Sequence, residues 1–172
     1  MKDLEIGSSM PKMGINVMAV RLAPFVYGRG GSGISQFLGI SQAKKEVIYV
    51  GEGSACISAV HVDDAARLYL LVAKYAKAGE VFNGTSSTNI THRQLAETMA
   101  GVLNLPTRSV TFEDAAAKFG LFLASFLSLE NRASNAKAVN TLRWNPREKG
   151  LLESINSGSY VAVAESLRES AS

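Results

Sequence analysis

The stretch INVMAVRLAPFVYGRGGSGIS, residues 15–35, joins an apolar, β-branched run to a glycine loop, and its reading decides the fold. The run predicts a strand buried on both faces that ends near Pro24, because proline donates nothing to a sheet ladder. Beyond it, Gly28, Gly30 and Gly33 stand in the spacing G-x-G-x-x-G ahead of a predicted short helix, ISQFLGISQAKK. One reading is a turn that cradles a pyrophosphate, with the first glycine at a strand end and the third at a helix start. The other is a surface loop whose glycines supply positive φ. Two features favour the loop: Pro24 interrupts the strand before Gly28, and no carboxylate follows at the end of the next strand to take the ribose hydroxyls. Glu46 precedes the next predicted strand, VIYV, and Glu52 sits in its turn.

Outward from this stretch, 172 residues with 47% apolar content predict one ordinary domain with a real core. Residues 1–13 read as poorly specified, since Gly7, Ser8, Ser9 and Pro11 break any helix, and residues 14–172 as a single α/β domain. The single cysteine excludes a disulfide framework and a cysteine-based zinc site. The N-terminus has no apolar core of signal-peptide length, and the longest apolar stretch, Leu121 to Leu129, is far short of the about 20 residues of a membrane span. These readings predict a cytoplasmic protein. The net charge of +3 is scattered without runs or interleaved aromatics, which argues against nucleic acid.

Further strands are expected at EVIYVGEG, CISAVHV and EVFNGTSS. Asp63 or Asp64 is placed to cap a helix whose apolar positions read as Ala66, Leu70, Val72, Ala73 and Ala76, with Gly79 as its stop. Thr91 and Gln94 form a capping box, Thr111 or Glu113 opens a helix that Gly120 ends, and helices follow through Leu121–Leu129 and after Ser134. The alternation of strands and helices gives an α/β first half and a mostly helical second half.

The strings GINVMAVRLAPFVYGRGG, YVGEGSACISAVHVDDAARLYLLV, AGEVFNGTSSTNITHRQLAETMA and NAKAVNTLRWNP, in this order, resemble the C-terminal half of NAD(P)-dependent epimerase/dehydratase proteins, the extended and atypical short-chain dehydrogenase/reductases. The resemblance spans Gly14 to Tyr160. It implies the C-terminal part of a Rossmann-like doubly wound sheet plus a mostly helical substrate-side lobe, in an oxidoreductase using NAD or NADP. It places Ala23, Pro24, Phe25 and Val26 on the nicotinamide side, and Tyr27, Arg29, Ser32 and His61 on the side of a small-molecule substrate. The glycine loop becomes the mobile rim of that cleft. Arg143 stands where the family's last turn carries a glycine.

The same resemblance marks what this chain lacks. The family's cofactor turn would precede Met1, and its catalytic Tyr-x-x-x-Lys pair is missing: Tyr27, Tyr49, Tyr69, Tyr75 and Tyr160 are followed at the fourth position by Gly31, Gly53, Ala73, Gly79 and Ala164. No catalytic residue is therefore assigned. Three readings stay open: a substrate-side portion lacking turnover alone, a non-catalytic binding module, and one half of a split enzyme. An uncovered edge on the strand at Ile15–Leu22 predicts self-association, or covering by the N-terminal residues or by a missing N-terminal half.

Other constellations read as structural. His61, Asp63 and Asp64 fit a packed strand end and a helix cap better than a metal site, and Cys56 fits a small buried side chain. Phe119, Phe122 and Phe126 fit core, and Trp144 a turn anchor.

Overall fold

Pro24 splits the first apolar run into two strands that enter different sheets. The computed structural model describes residues 16–170, so the reading of residues 1–13, and of their covering a strand edge, lies outside the described residues. Strand β1 (Ala19–Leu22) pairs in parallel with β5 (Val81–Gly84). After the proline, β2 (Phe25–Tyr27) pairs in parallel with β4 (Cys56–His61), which pairs antiparallel with β6 (Ser87–Thr91). A third parallel pair joins β3 (Val47–Val50) to β7 (Thr107–Val110). The strand therefore ends before Pro24 as expected, but the short β2 still delivers the chain to Gly28. Strand β1 is half-exposed rather than buried on both faces.

Eight helices complete the described fold: α1 (Ser32–Lys44), α2 (Val62–Tyr75), α3 (His92–Leu103), α4 (Phe112–Phe119), α5 (Leu121–Ser128), α6 (Ala136–Leu142), α7 (Leu151–Ser157) and α8 (Val161–Glu169). This is α/β architecture with small open sheets and a helix-rich second half. No helix among the described residues is long and apolar enough to cross a membrane.

Every residue of β4 is buried, because its two faces serve two cores. One core gathers Phe25, Tyr27, Ile57 and Ala59 against α1, α3, α7 and α8. The other gathers Val60, Leu68, Phe82 and Trp144 between α2, α6 and the β1–β5 pair.

Several local signals act as read. Thr91 and Gln94 make the reciprocal capping box of α3, and Thr111 accepts the Asp114 N–H at the start of α4, which ends at Gly120. Helix α2 corrects the reading. Its N-cap is His61, whose Nδ1 accepts the Asp63 N–H; Asp63 and Asp64 lie in the first turn, where their charge suits the positive helix end. The helix stops at Tyr75, and Gly79 belongs to the turn beyond. Its buried face is Asp64, Ala65, Leu68 and Val72, whereas Leu70 is 71% exposed and Ala66 and Ala73 face solvent.

Buried Asp64 organises the tail. Its carboxylate accepts the backbone N–H groups of Arg147 (2.9 Å) and Glu148 (3.1 Å) and pairs with Arg67, while its carbonyl accepts Trp144 Nε1 at 3.0 Å. Trp144 thus anchors the turn after α6 as expected. Arg143 closes that helix at φ 53°, in the left-handed region that a glycine enters without strain.

Candidate functional site

The glycine loop has the local form of a phosphate turn, a strand end followed by a helix start, but its amides are already engaged. Gly28 N donates to Tyr160 Oη at 2.8 Å, Gly30 N to Ser159 Oγ at 2.9 Å, and Gly31 N to Gly28 O at 3.2 Å. Tyr160 Oη in turn donates to Gly31 O at 2.9 Å. The loop is tied to the N-terminus of α8 rather than forming a free rim. Gly28 meets a steric demand as well: at φ 119°, a Cβ there would lie 2.4 Å from His61 Nε2.

The four residues expected on the substrate side gather around this loop. Tyr27 is buried, its hydroxyl donates to Lys149 O at 2.9 Å, and its ring meets His61 edge to face. Burial pushes the Tyr27 phenol up to about 12. Arg29 pairs with Asp63 at 2.7 Å, and Ser32 Oγ stands 3.4 Å from Tyr160 Oη. His61, Asp63 and Glu148 bring ligand-type atoms within 4.8 Å of one another. Each is engaged: His61 Nδ1 by the Asp63 N–H, Asp63 by Arg29, and Glu148 by Arg67. The other histidine, His92, lies with Nε2 3.1 Å from Leu129 O, and burial pulls its pKa down.

Pro24, Phe25 and Val26 stand apart from that cluster. They form one wall of an apolar cavity of about 210 Å³, closed on the other sides by α1 and α5. Ala23 instead packs in the core beside Val60 and Phe82. Phe126 lies 5.0 Å from Phe25 between ring centroids and stacks on Phe37. The expectation that Phe119, Phe122 and Phe126 are core is corrected: Phe122 is 84% exposed at the cavity mouth, and the other two are half-buried. Phe126 still packs against the core through Phe25 and Phe37, as expected, whereas Phe119 and Phe122 border cavities.

A second hollow, of about 250 Å³, is polar and lies between residues 85–88 and 132–135. Buried Thr85 Oγ1 and Ser87 Oγ have no hydrogen-bond partner. Ser58, central in β4, holds the facing segment by donating to Asn131 O and accepting the Ala133 N–H. Arg132 pairs with Glu130 and donates to Cys56 Sγ at 2.8 Å. Cys56 is a small buried side chain as read, but its cationic neighbour comes from 76 positions away. Tyr160, Ser159 and Arg132 carried no local signal, since their partners are distant in the chain.

No family model matches the chain. It is 31% identical over 148 residues to an uncharacterized protein of Schizosaccharomyces pombe, covering 86% of this chain and 50% of that one. It is 32% identical over 152 residues to an uncharacterized protein of Saccharomyces cerevisiae, with 88% and 51% covered. The chain spans about half the length of these curated relatives. Among solved structures, a UDP-glucose 4-epimerase from Thermotoga maritima with UDP-glucose matches at TM-score 0.63 and 21% identity, over 91% of this chain and 48% of that one. A dTDP-glucose 4,6-dehydratase from Streptomyces venezuelae with NAD matches at 0.65 and 19%, over 93% and 47%. A human epimerase family protein with NADPH matches at 0.60 and 19%, over 90% and 48%.

The chain has the fold of the C-terminal half of the NAD(P)-dependent epimerase/dehydratases. Arg143 adopts the left-handed turn where the family resemblance places glycine, so the arginine leaves that turn in place.

Proposed function

We propose that this chain is the substrate-side portion of an NAD(P)-dependent epimerase/dehydratase-like oxidoreductase. The observation that carries the reading is the half-length match itself: nearly all of this chain superposes on about half of enzymes crystallised with NAD or NADPH. In the complete unit a hydride passes between a substrate carbon and the nicotinamide. Pro24, Phe25 and Val26 flank the ring side, with Ala23 in the core behind them, and Tyr27, Arg29, Ser32 and His61 hold the adjoining loop in shape toward the substrate.

The residues present suit one end of the dinucleotide only. An apolar wall at Pro24–Val26 suits the face of a flat ring, but the loop amides of Gly28, Gly30 and Gly31 are engaged by Tyr160, Ser159 and Gly28 rather than free for a pyrophosphate. With no Tyr-x-x-x-Lys pair, the proton that accompanies hydride transfer has no donor or acceptor of the family's kind in this chain. Turnover then requires a second unit carrying the dinucleotide turn and that pair.

Titration of NADH and NADPH against the purified chain, followed by nicotinamide fluorescence, tests this. The expected result is no binding by the chain alone, and binding once the unmatched half of the Saccharomyces cerevisiae relative is added. Tight binding by the chain alone overturns the reading.

A further inference from the structure

The wall at Pro24–Val26 belongs to a cavity whose other sides are almost entirely hydrocarbon. Phe37 and Ile40 of α1 face it from one side, and Phe122, Leu123 and Phe126 of α5 from another; Gln36 is the one polar side chain on its lining. Helix α5 reads LFLASFLS and carries no charge, yet only Ala124 of it is buried. Gly120 both ends α4 and begins α5, and hollows border α5 at Phe122, Leu123, Phe126 and Leu127. A helix with this composition normally packs without gaps, because unfilled space forfeits dispersion contacts along its whole face. Here the space is about 210 Å³ and opens to solvent past Phe122 and Ile40, an apolar groove rather than a sealed cavity.

We propose that this cavity binds an uncharged, apolar group of one or two rings, and that α5 roofs it. The inference rests on the proposed placement of Pro24–Val26 beside the nicotinamide, and it names the class of substrate presented there. Four phenylalanine rings, Phe25, Phe37, Phe122 and Phe126, offer faces and edges to a flat guest, Gln36 offers one orienting amide, and no charged side chain lines the cavity to recognise a phosphate or compensate a charge. A sugar nucleotide, with its hydroxyls and diphosphate, would bury unpaired polar groups in such a site. The hydroxyl-lined hollow beside Thr85 and Arg132 is closer to that chemistry.

The test uses the full chain and the neutral two-ring fluorophore 1-naphthylamine, with no nicotinamide cofactor present, so its outcome is independent of the dinucleotide titration. The expected result is saturable binding with enhanced emission that UDP-glucose does not displace. Ile40→Trp, which fills the cavity from a partly exposed position, should weaken binding about tenfold or more. Phe122→Ser, at an exposed site where folding is not at risk, should weaken it as well, and decides the matter if Ile40→Trp loses its circular-dichroism signature. Leu70→Ser, on the separate exposed face of α2, should leave binding unchanged. Displacement by UDP-glucose, indifference to the cavity variants, or loss in Leu70→Ser would each overturn the proposal.

Discussion

Replacing Tyr160 by phenylalanine isolates what holds the glycine loop. The ring is fully buried and the substitution keeps it, so packing is unchanged and the loss is confined to one hydroxyl. That hydroxyl accepts from Gly28 N and donates to Gly31 O. The Gly28 contact is buried, and a buried donor left without a partner costs about 1–3 kcal/mol; the Gly31 carbonyl is closer to water and adds about 0.5 kcal/mol. The sum is about 1.5–3.5 kcal/mol, which in a domain of this size lowers Tm by about 3–14 °C. Ser159→Ala is the matched control, because its bond to Gly30 N is exposed and solvent replaces it; it should cost no more than about 0.5 kcal/mol. Urea unfolding of both variants against the parent chain measures the difference. A Tyr160→Phe variant within about 0.5 kcal/mol of the parent, or a Ser159→Ala variant equally destabilised, would refute the assignment of the loop to the tail rather than to an external phosphate.

Two further outcomes follow from residues outside the loop. Arg143→Gly relieves a left-handed residue at an exposed helix end, and should raise stability by about 0.5–1 kcal/mol, read as a higher urea midpoint at unchanged slope. Glu46 is held at about 2, below its ordinary 4.5, chiefly by hydrogen bonds from Arg108 and Lys118. A lowered folded-state pKa means that this stabilisation is present above about 4.5 and is lost as pH falls toward about 2. Because Arg108 and Lys118 are half-exposed, solvent screening holds it to about 1 kcal/mol. The stability gap between the parent and Glu46→Gln should close over that interval in acid titration, and a gap independent of pH contradicts it.

How much of this was legible in the sequence depended on the range of the interaction. The capping box of Thr91 and Gln94, the Thr111 cap and the Gly120 stop are settled within four residues, and each stands where the sequence places it. Helix α2 misled because its pattern admits two faces: Ala66, Leu70 and Ala73 share one stripe, Ala65, Leu68 and Val72 another, and only the packing partners choose between them. Its cap was missed because an imidazole does what Asp63 was expected to do. Strands β6 and β7 were not read, since STNIT and TRSV are polar and owe their extension to pairing with β4 and β3. The fold class was carried by the order of several short motifs. The side chains that close the glycine loop lie outside all of them, on the tail.

The union of Gly28 with Tyr160 also sets an order of events during synthesis. Their separation is 132 residues, and the buried clamp at Asp64 reaches 80 to 84 positions ahead for its partners. Until those distal residues are available, the glycine loop lacks its hydroxyl partner and the Asp64 carboxylate has only Arg67. Contacts of such range form late and leave apolar surface open meanwhile. The glycine loop therefore settles only once Tyr160 is available, and a cut before Trp144 would open the Asp64 clamp as well.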